Sequence, residues 1–403
     1  MGYDFTLDDV AYLRSRFGDK ALATADSLQL RPETLISDLA VLRSRYPGRE
    51  AALVDTVRSR RRAAGKLRDP ERLLLTDAAV QQATTRTVAA HRAADLAGRF
   101  PGAVIHDVTC SIGAELAELA AEPGLGPILG SDIDRVRLAM AAHNVPSATL
   151  IAADALTPTS TADVVIADPA RRTSGGSRTF RLDQLRPSLF DLLTTYAGRP
   201  LLVKSAPGLD YQLLRDRYGY TGEVQITSFD GGVREACLWT GREFSDRRRA
   251  TVIRSDGTGF EIADDDDDGI APGDPGTWII DPDGAVVRAG LVRHYAKRHG
   301  LWQLDGQIAY LTGYHVPPGD RGWRVLEWSG FSEKHLKRRL AELDCGVLEI
   351  LVRGVEVDPD RLRARLKLRG TRSMAVVITR IGRRGVAFIC EAGVRAGPAG
   401  VGA

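Results

Sequence analysis

From residue 101 onward the sequence alternates short, compact apolar runs with stretches of helical periodicity. No other feature constrains the fold as much. AVIHDV, PILGSD, ATLIAAD, ADVVIAD and PLLVKS are each rich in β-branched residues or leucine. Runs of this kind, spaced by helical intervals, belong to a parallel sheet buried on both faces by its own crossover helices. Two further runs, GEVQITSF and EACLWTG, flank a short loop containing Gly231 and Gly232 and are expected to pair antiparallel at the end of that sheet. The predicted fold class is α/β, a doubly wound sheet over about 101–242 with a terminal antiparallel hairpin.

The segments on either side differ in pattern. The first 75 residues read as helices: Thr6 caps a segment with Val10, Leu13 and Phe17 at helical spacing, a second covers Pro32 to Tyr46, and a third about 49–64. Thr76 then opens one more helical stretch, TDAAVQQATTRTVAAHRAADLAG, closed by Gly98. After Arg247-Arg248-Arg249 come a hairpin, ATVIRSDGTGFEIA, and the acidic loop DDDDDGIAPGDPG, expected to be solvated and mobile. The last hundred residues give a β-α-β-α-β-β order, with Asp358 and Pro359 a strong start signal for the second helix. The domains predicted are a helical N-terminal region at 1–75, an α/β domain at 76–243 and an α+β domain at 244–403.

Composition narrows the function classes. With 403 residues, 43% hydrophobic and 27% charged, the chain is an ordinary globular protein with material for two or three domains. No run approaches the ~18 apolar residues of a membrane span, and MGYDFTLDDV has no basic-then-apolar leader pattern. The cysteines Cys110, Cys237, Cys345 and Cys390 form no CxxC pair, so neither a disulfide framework nor a zinc site is expected, and a reducing cytoplasm is the expected location. The net charge of +3 is a cancellation: residues 1–75 carry +3, residues 331–403 carry +7, and the middle carries −7. Helix-forming RLRARLKLRG, with Lys334, Lys337, Arg338 and Arg339 nearby, makes the C-terminal part a candidate nucleic-acid surface. The tryptophans Trp302, Trp323 and Trp328 are expected in the core.

Polar residues recur where the apolar runs end. Asp107 closes the first run and Gly113 follows six residues later; Cys110 lies in the turn between them. A strand, a glycine turn and a helix put backbone N–H groups at the ligand-binding edge of an open α/β sheet. The turn is not GxGxxG, so a dinucleotide pyrophosphate is poorly served, and a ligand with a cationic amino-acid end suits Asp107 better. Asp132, after the second run, can accept both hydroxyls of a ribose, while Asp134 caps the next helix. Asp154, after the third, can accept from an adenine amine. Asp168-Pro169-Ala170-Arg171-Arg172 follows the fourth. Arg171 and Arg172 are candidates for substrate phosphates, as is Lys204 at the end of LLVKS for a substrate contact, against the alternatives of a solvated loop and a lysine reaching out to solvent. Cys110 reads as a small packing residue of the ligand loop.

These four elements, in this order, resemble the class I S-adenosylmethionine-dependent methyltransferases, whose sheet is Rossmann-like. DVTCSIGAE resembles their motif I, Asp132 their ribose-binding acid, Asp154 their adenine contact and DPAR their Asp-Pro-Pro-X signature. QQATTRTVAAHRAADL is similar to the helix before motif I in RNA and cap-guanosine methyltransferases. CGVLEILVRGVEVDPDRLRARLKLRG is similar to a THUMP-like domain appended to a bacterial methyltransferase family, and THUMP domains proper bind RNA. The resemblance covers about 76–242 for the catalytic fold. It implies S-adenosyl-L-methionine as cofactor, held by Asp107, Cys110, Gly113, Asp132 and Asp154, with Asp168, Pro169 and Arg171 as catalytic residues and Arg172 and Lys204 facing substrate.

The signature departs from the family pattern where Ala170 replaces a proline and Arg171 an aromatic residue. Carbon-5 pyrimidine methylation needs a nucleophilic cysteine, and Cys110 and Cys237 sit in a ligand loop and a strand, so a base nitrogen of RNA is the favoured acceptor, with a sugar or other oxygen left open. Two rivals remain: a small-molecule methyltransferase, and a catalytically silent RNA-binding protein with a vestigial cofactor fold. RNA is the expected partner, with no membrane and no metal; the oligomeric state is unknown.

Overall fold

The computed structural model describes residues 2–170, 185–208, 211–398 and 400. The chain divides into two compact units, Met1–Gly222 with Ala236–Ser245, and Glu223–Glu235 with Asp246–Ala403.

The first unit begins with helices α1 (Leu7–Leu13), α2 (Arg16–Asp26), α3 (Leu35–Arg45), α4 (Glu50–Ala63), α5 (Asp77–Gln82) and α6 (Arg86–Arg99). Thr6 and Asp9 form a reciprocal cap on α1. The first helix is shorter than its apolar spacing predicts. Ser15 breaks it and caps α2 by accepting from the Gly18 N–H, which leaves Phe17 75% exposed. The stretch from Thr76 is likewise two helices, because the chain leaves helical geometry at Ala83 and restarts at Thr85. The apolar faces of α1 to α5 share a core with Ile112 and Met140 of the α/β fold, while Ala93 and Leu96 of α6 pack with Ile105 and Leu116.

The sheet that follows contains β1 (Ile105–Asp107), β2 (Ile128–Asp132), β3 (Thr149–Ala152), β4 (Val164–Ala167) and β5 (Leu201–Ser205). Between them lie α7 (Ala114–Ala120), α8 (Arg135–Asn144) and α9 (Leu189–Thr195), and α10 (Tyr211–Tyr218) follows β5. The five strands are parallel in the order β3-β2-β1-β4-β5. The order reverses beside β1, so a crevice opens between the C-terminal ends of β1 and β4. Two more strands are β6 (Glu223–Phe229) and β7 (Gly232–Thr240). The C-terminal half of β7 pairs antiparallel with β5 inside the first unit.

The second unit contains β6, which pairs parallel with β8 (Arg247–Ile253), and β9 (Phe260–Ala263), which pairs antiparallel with β8. Next come β10 (Trp278–Asp281), α11 (Gly284–Arg288), α12 (Val292–Arg298), β11 (Trp302–Gln303), β12 (Leu311–Gly313) and β13 (Arg321–Gly330). The chain ends with α13 (Glu333–Glu342), β14 (Cys345–Val352), α14 (Pro359–Leu366), β15 (Arg372–Ile381), β16 (Arg384–Glu391) and β17 (Val394–Arg395). The last six long elements match the β-α-β-α-β-β expectation, and Asp358 caps α14 through the Asp360 and Arg361 N–H groups. Leu336, Leu340, Leu362 and Leu366 of α13 and α14 pack on Leu348, Met374, Val376 and Ile389 of the sheet.

The aspartate run lies in a largely exposed loop, as expected, and its carboxylates are also paired: Asp264, Asp265, Asp266, Asp267 and Asp268 pair respectively with Arg248, Arg247, Arg298, Lys297 and Arg293, cations supplied by β8 or α12. One expectation for this unit fails. Trp323 is core at 1% exposure, but Trp328 is 49% exposed, with only its contact to the stacked Phe388 ring turned toward the core.

Candidate active site

The C-terminal ends of β1 to β4 bring the sequence-selected acids to one edge of the first unit. Asp107 ends β1, Asp132 ends β2, Asp154 follows β3 and Asp168 follows β4. The turn after β1 is tight: Ser111 and Gly113 both adopt left-handed backbone, at φ 50° and 80°. A Cβ on Gly113 would lie 3.2 Å from Val145 and 3.3 Å from Ala141, a tight fit, and the left-handed backbone there strains any residue but glycine. Asp132 fastens this turn to β2. Its Oδ2 accepts from the Ser111 N–H at 2.8 Å and its Oδ1 from the Asp134 N–H at 2.8 Å. Asp134 caps α8 through the Val136 and Arg137 N–H groups. Asp154 is exposed, and its Oδ1 accepts from the Leu156 N–H in a turn of its own.

Cys110 is turned inward. It packs in the core beside Leu116 and Ile128, burial raises its thiol pKa, and its backbone N–H donates to Ser131 O. Only its main chain belongs to the loop.

Asp107 is 3% exposed, and Oδ1 accepts from the Thr109 N–H at 2.9 Å and from the Thr109 hydroxyl at 3.3 Å. Burial pushes this carboxyl up to about 7; the Thr109 N–H and Lys204 pull against that rise, and Glu115 and Asp168 add to it. The Thr109 hydroxyl also accepts from the Asp168 backbone N–H at 2.6 Å. One side chain therefore ties the end of β1 to the turn after β4, across the crevice.

Asp168 stands at the outer end of a line of charges. Its Oδ2 is 2.7 Å from Lys204 Nζ, which is 3.2 Å from Glu115 Oε2. Glu115 in turn takes a two-pronged pair from Arg92, at 2.7 and 3.0 Å, and an Arg92 η nitrogen donates to Cys237 Sγ at 3.4 Å. Arg92, Glu115 and Lys204 are all buried, whereas the Asp168 side chain is 37% exposed. Burial alone would raise the Glu115 carboxyl, but Arg92 and Lys204 overcome it and hold the group at about 2. Lys204 therefore does not reach out to solvent; β5 points it into the fold, where two carboxylates receive it.

Pro169 is buried behind Asp168, while Arg171 and Arg172 lie outside the described residues. Sequence reasoning missed Thr109, Glu115 and Arg92. Glu115 and Arg92 fall on ordinary amphipathic helices, and only the fold shows that their inward faces meet under β5. Among the described residues no group of three His, Cys, Asp or Glu side chains is placed to hold a metal ion, and no helix is long and apolar enough to cross a membrane.

The donor set fits a nucleoside that carries a cationic amino-acid end. Asp132 keeps lone pairs on both oxygens for ribose hydroxyls, and Asp107 is a carboxyl that an incoming cation would ionise.

Residues 320–392 match the model of the THUMP domain-like family. Over 359 residues the chain is 52% identical to an uncharacterised S-adenosylmethionine-dependent methyltransferase of Mycobacterium tuberculosis, covering 84% of this chain and 96% of that protein. Among solved structures, one from Porphyromonas gingivalis W83, provisionally described as a methyltransferase, superposes with a TM-score of 0.72 at 17% identity, over 93% of this chain and 98% of the other. At that identity the likeness is one of fold.

Proposed function

The chain belongs to the S-adenosylmethionine-dependent methyltransferases, and from that premise we propose that its acceptor is RNA, methylated at a base nitrogen. The THUMP domain-like match at 320–392 is the observation that carries the RNA reading. That segment includes α13 and α14, whose outer faces expose Lys334, Lys337, Arg338, Arg361, Arg363, Arg365 and Lys367, suited to phosphates.

In the cofactor site Asp132 and Asp154 would take the ribose and adenine, and Asp107 the amino-acid end. Bound, S-adenosyl-L-methionine supplies a methyl group on a sulfonium, transferred by in-line displacement. The protein's part is then to place the acceptor and keep water out. Asp168 is the group for the acceptor: its carboxylate projects from the crevice, with Pro169 buried behind it, and accepts a hydrogen bond from an amine or ring N–H, helping that nitrogen shed its proton. Arg171 and Arg172, next in the chain, are assigned to the substrate on sequence grounds. The four cysteines are all buried. That argues against carbon-5 methylation, which needs an accessible thiolate, and fits a reducing compartment such as the cytoplasm.

The test is transfer of labelled methyl from S-adenosylmethionine into total RNA purified from cells in which the gene has been deleted. Label that enters RNA, is released by ribonuclease and requires Asp168 supports the reading. Label that enters only small molecules supports the small-molecule rival. An absence of heat on titration with S-adenosylmethionine supports the silent RNA-binding rival.

A further inference from the structure

Four arginines line a shallow pocket of about 520 Å³ in the N-terminal helices of the first unit. Arg58, Arg61 and Arg62 come from the C-terminal half of α4, and Arg31 from the loop between α2 and α3. Leu28, Gln29 and Leu30 complete the lining, which among the described residues holds no acid and no aromatic ring. A helix favours cations in its last turn, and that accounts for Arg61 and Arg62. It does not account for Arg58, a turn earlier, or for Arg31 on another element. Arg58 stands three and four positions before Arg61 and Arg62, a spacing at which like charges on a helix repel. Local helix energetics gives no reason for this set.

The pocket is held in shape. Arg61 donates to the carbonyls of Asp26, Leu28 and Gln29, each at 2.7 Å, and so fastens the loop to α4. Asp38 accepts from the Leu30 N–H at 2.8 Å, and the Leu30 side chain is buried in the helical core. Leu30 keeps left-handed backbone at φ 54°, a conformation that persists only where the surroundings fix it. The loop thus presents exposed Arg31 at a set place in the same pocket as exposed Arg58. Asp26 and Asp77 pair with Arg61 and Arg62, and Asp55 acts on Arg58 and Arg62 from one turn earlier on α4. Among the described residues no carboxylate forms an ion pair with Arg31 or Arg58.

We propose that this pocket binds backbone phosphates of the acceptor RNA, as a contact separate from the cations of α13 and α14. The proposal rests on the RNA reading given above. Guanidiniums meet phosphate oxygens with paired N–H donors, and a lining without an aromatic ring offers a base nothing to stack on. The contact positions a strand and reads no sequence. The helices that carry the pocket share a core with Ile112 of the cofactor turn, and Arg68, just past α4, pairs with Glu118 of α7 at 2.6 Å. A strand held there is held relative to the crevice of Asp168.

Filter binding of total RNA from gene-deleted cells to the full chain, across a salt series, tests this. Arg31→Ala with Arg58→Ala should weaken binding by about threefold or more and lower the slope of log affinity against log salt by about 1.5. Arg31→Lys with Arg58→Lys keeps both charges and should restore the slope, which separates lost charge from lost folding. Arg14→Ala with Arg45→Ala removes two exposed cations of the same helical region that do not line the pocket, and should change neither value by as much. In single-turnover transfer the Arg31 and Arg58 alanine pair should lose rate at limiting RNA and regain it at saturating RNA, with S-adenosylmethionine affinity unchanged by calorimetry. An RNA affinity and slope equal to wild type overturn the proposal, as does a loss matched by the Arg14 and Arg45 pair or one confined to duplex DNA. Failure of the RNA reading looks different: the wild-type chain would then transfer no methyl to RNA at any RNA concentration.

Discussion

Lys204 Nζ and Asp168 Oδ2 are 2.7 Å apart, and the same ammonium reaches Glu115 at 3.2 Å. The two ends of this arrangement differ in exposure, and that sets different costs for removing its members. Lys204→Met takes away one cation, whose outer partner Asp168 is wet enough for water to compensate, and should cost about 1–3 kcal/mol. Glu115→Leu deprives two buried cations of the carboxylate they share and should cost about 3–5 kcal/mol. Guanidinium melts of the two variants check the ranking; equal costs would mean that Glu115 is not the hub.

Asp107 gives stability an unusual pH dependence. Its folded pKa, about 7, is above the ordinary carboxylate value, so between about pH 4 and 7 the folded protein holds a proton that the unfolded chain has released. This group's contribution to stability therefore falls as pH rises through that window. Asp107→Asn keeps an oxygen for the Thr109 N–H and removes the penalty. It should melt close to wild type near pH 4 and above it at pH 8, by an amount on the order of a few kcal/mol. Glu115 has the opposite sign: held at about 2, it stabilises above its ordinary value and is lost as acid approaches pH 2.

Much of this architecture was legible from local pattern. Parallel strands buried on both faces announce themselves as apolar runs, and Asp134 and Asp358 cap the helices their positions implied. The misses have a common cause. Phe17 continues the spacing of Val10 and Leu13, but the serine break between them turns it outward. Asp264 to Asp268 form the exposed loop expected of them, but local pattern did not show the five cations that pair with them, which lie elsewhere in the chain on β8 and α12. Lys204 looked like a surface-seeking lysine since its partners are on other elements. Periodicity reports which face is buried; it does not report which charge waits there.

Thr109 joins the end of β1 to the Asp168 turn through one hydroxyl, which accepts from Asp168 N and donates to Asp107. Thr109→Val keeps shape and removes both bonds, leaving a partly buried N–H without its acceptor. The expected loss is about 1–3 kcal/mol of stability, with a fall in transfer rate larger than the fall in S-adenosylmethionine affinity. Calorimetry beside single-turnover rates separates the two; a loss confined to cofactor affinity would place Thr109 in the cofactor site alone.

On the RNA reading, the exposed cations of α13 capture the acceptor while the acids of the first unit act on it, so removing those cations should weaken capture and leave the cofactor site alone. Lys334→Ala, Lys337→Ala and Arg338→Ala combined should weaken binding of total RNA and flatten its salt dependence by up to about three contacts' worth of slope. Cofactor affinity should stay unchanged. Filter binding across a salt series measures it, and an unaltered slope would remove α13 from the RNA surface.

The most direct test of RNA methylation dependent on Asp168 is quantitative nucleoside mass spectrometry of total RNA from cells with the gene, without it, and without it but carrying either the wild-type or the Asp168→Asn protein. The expected result is one N-methylated nucleoside that disappears on deletion, returns with the wild-type protein and stays absent with Asp168→Asn. An RNA methylation profile identical in all four strains would contradict RNA as the acceptor, and return of the nucleoside with Asp168→Asn would contradict the role given to that carboxylate.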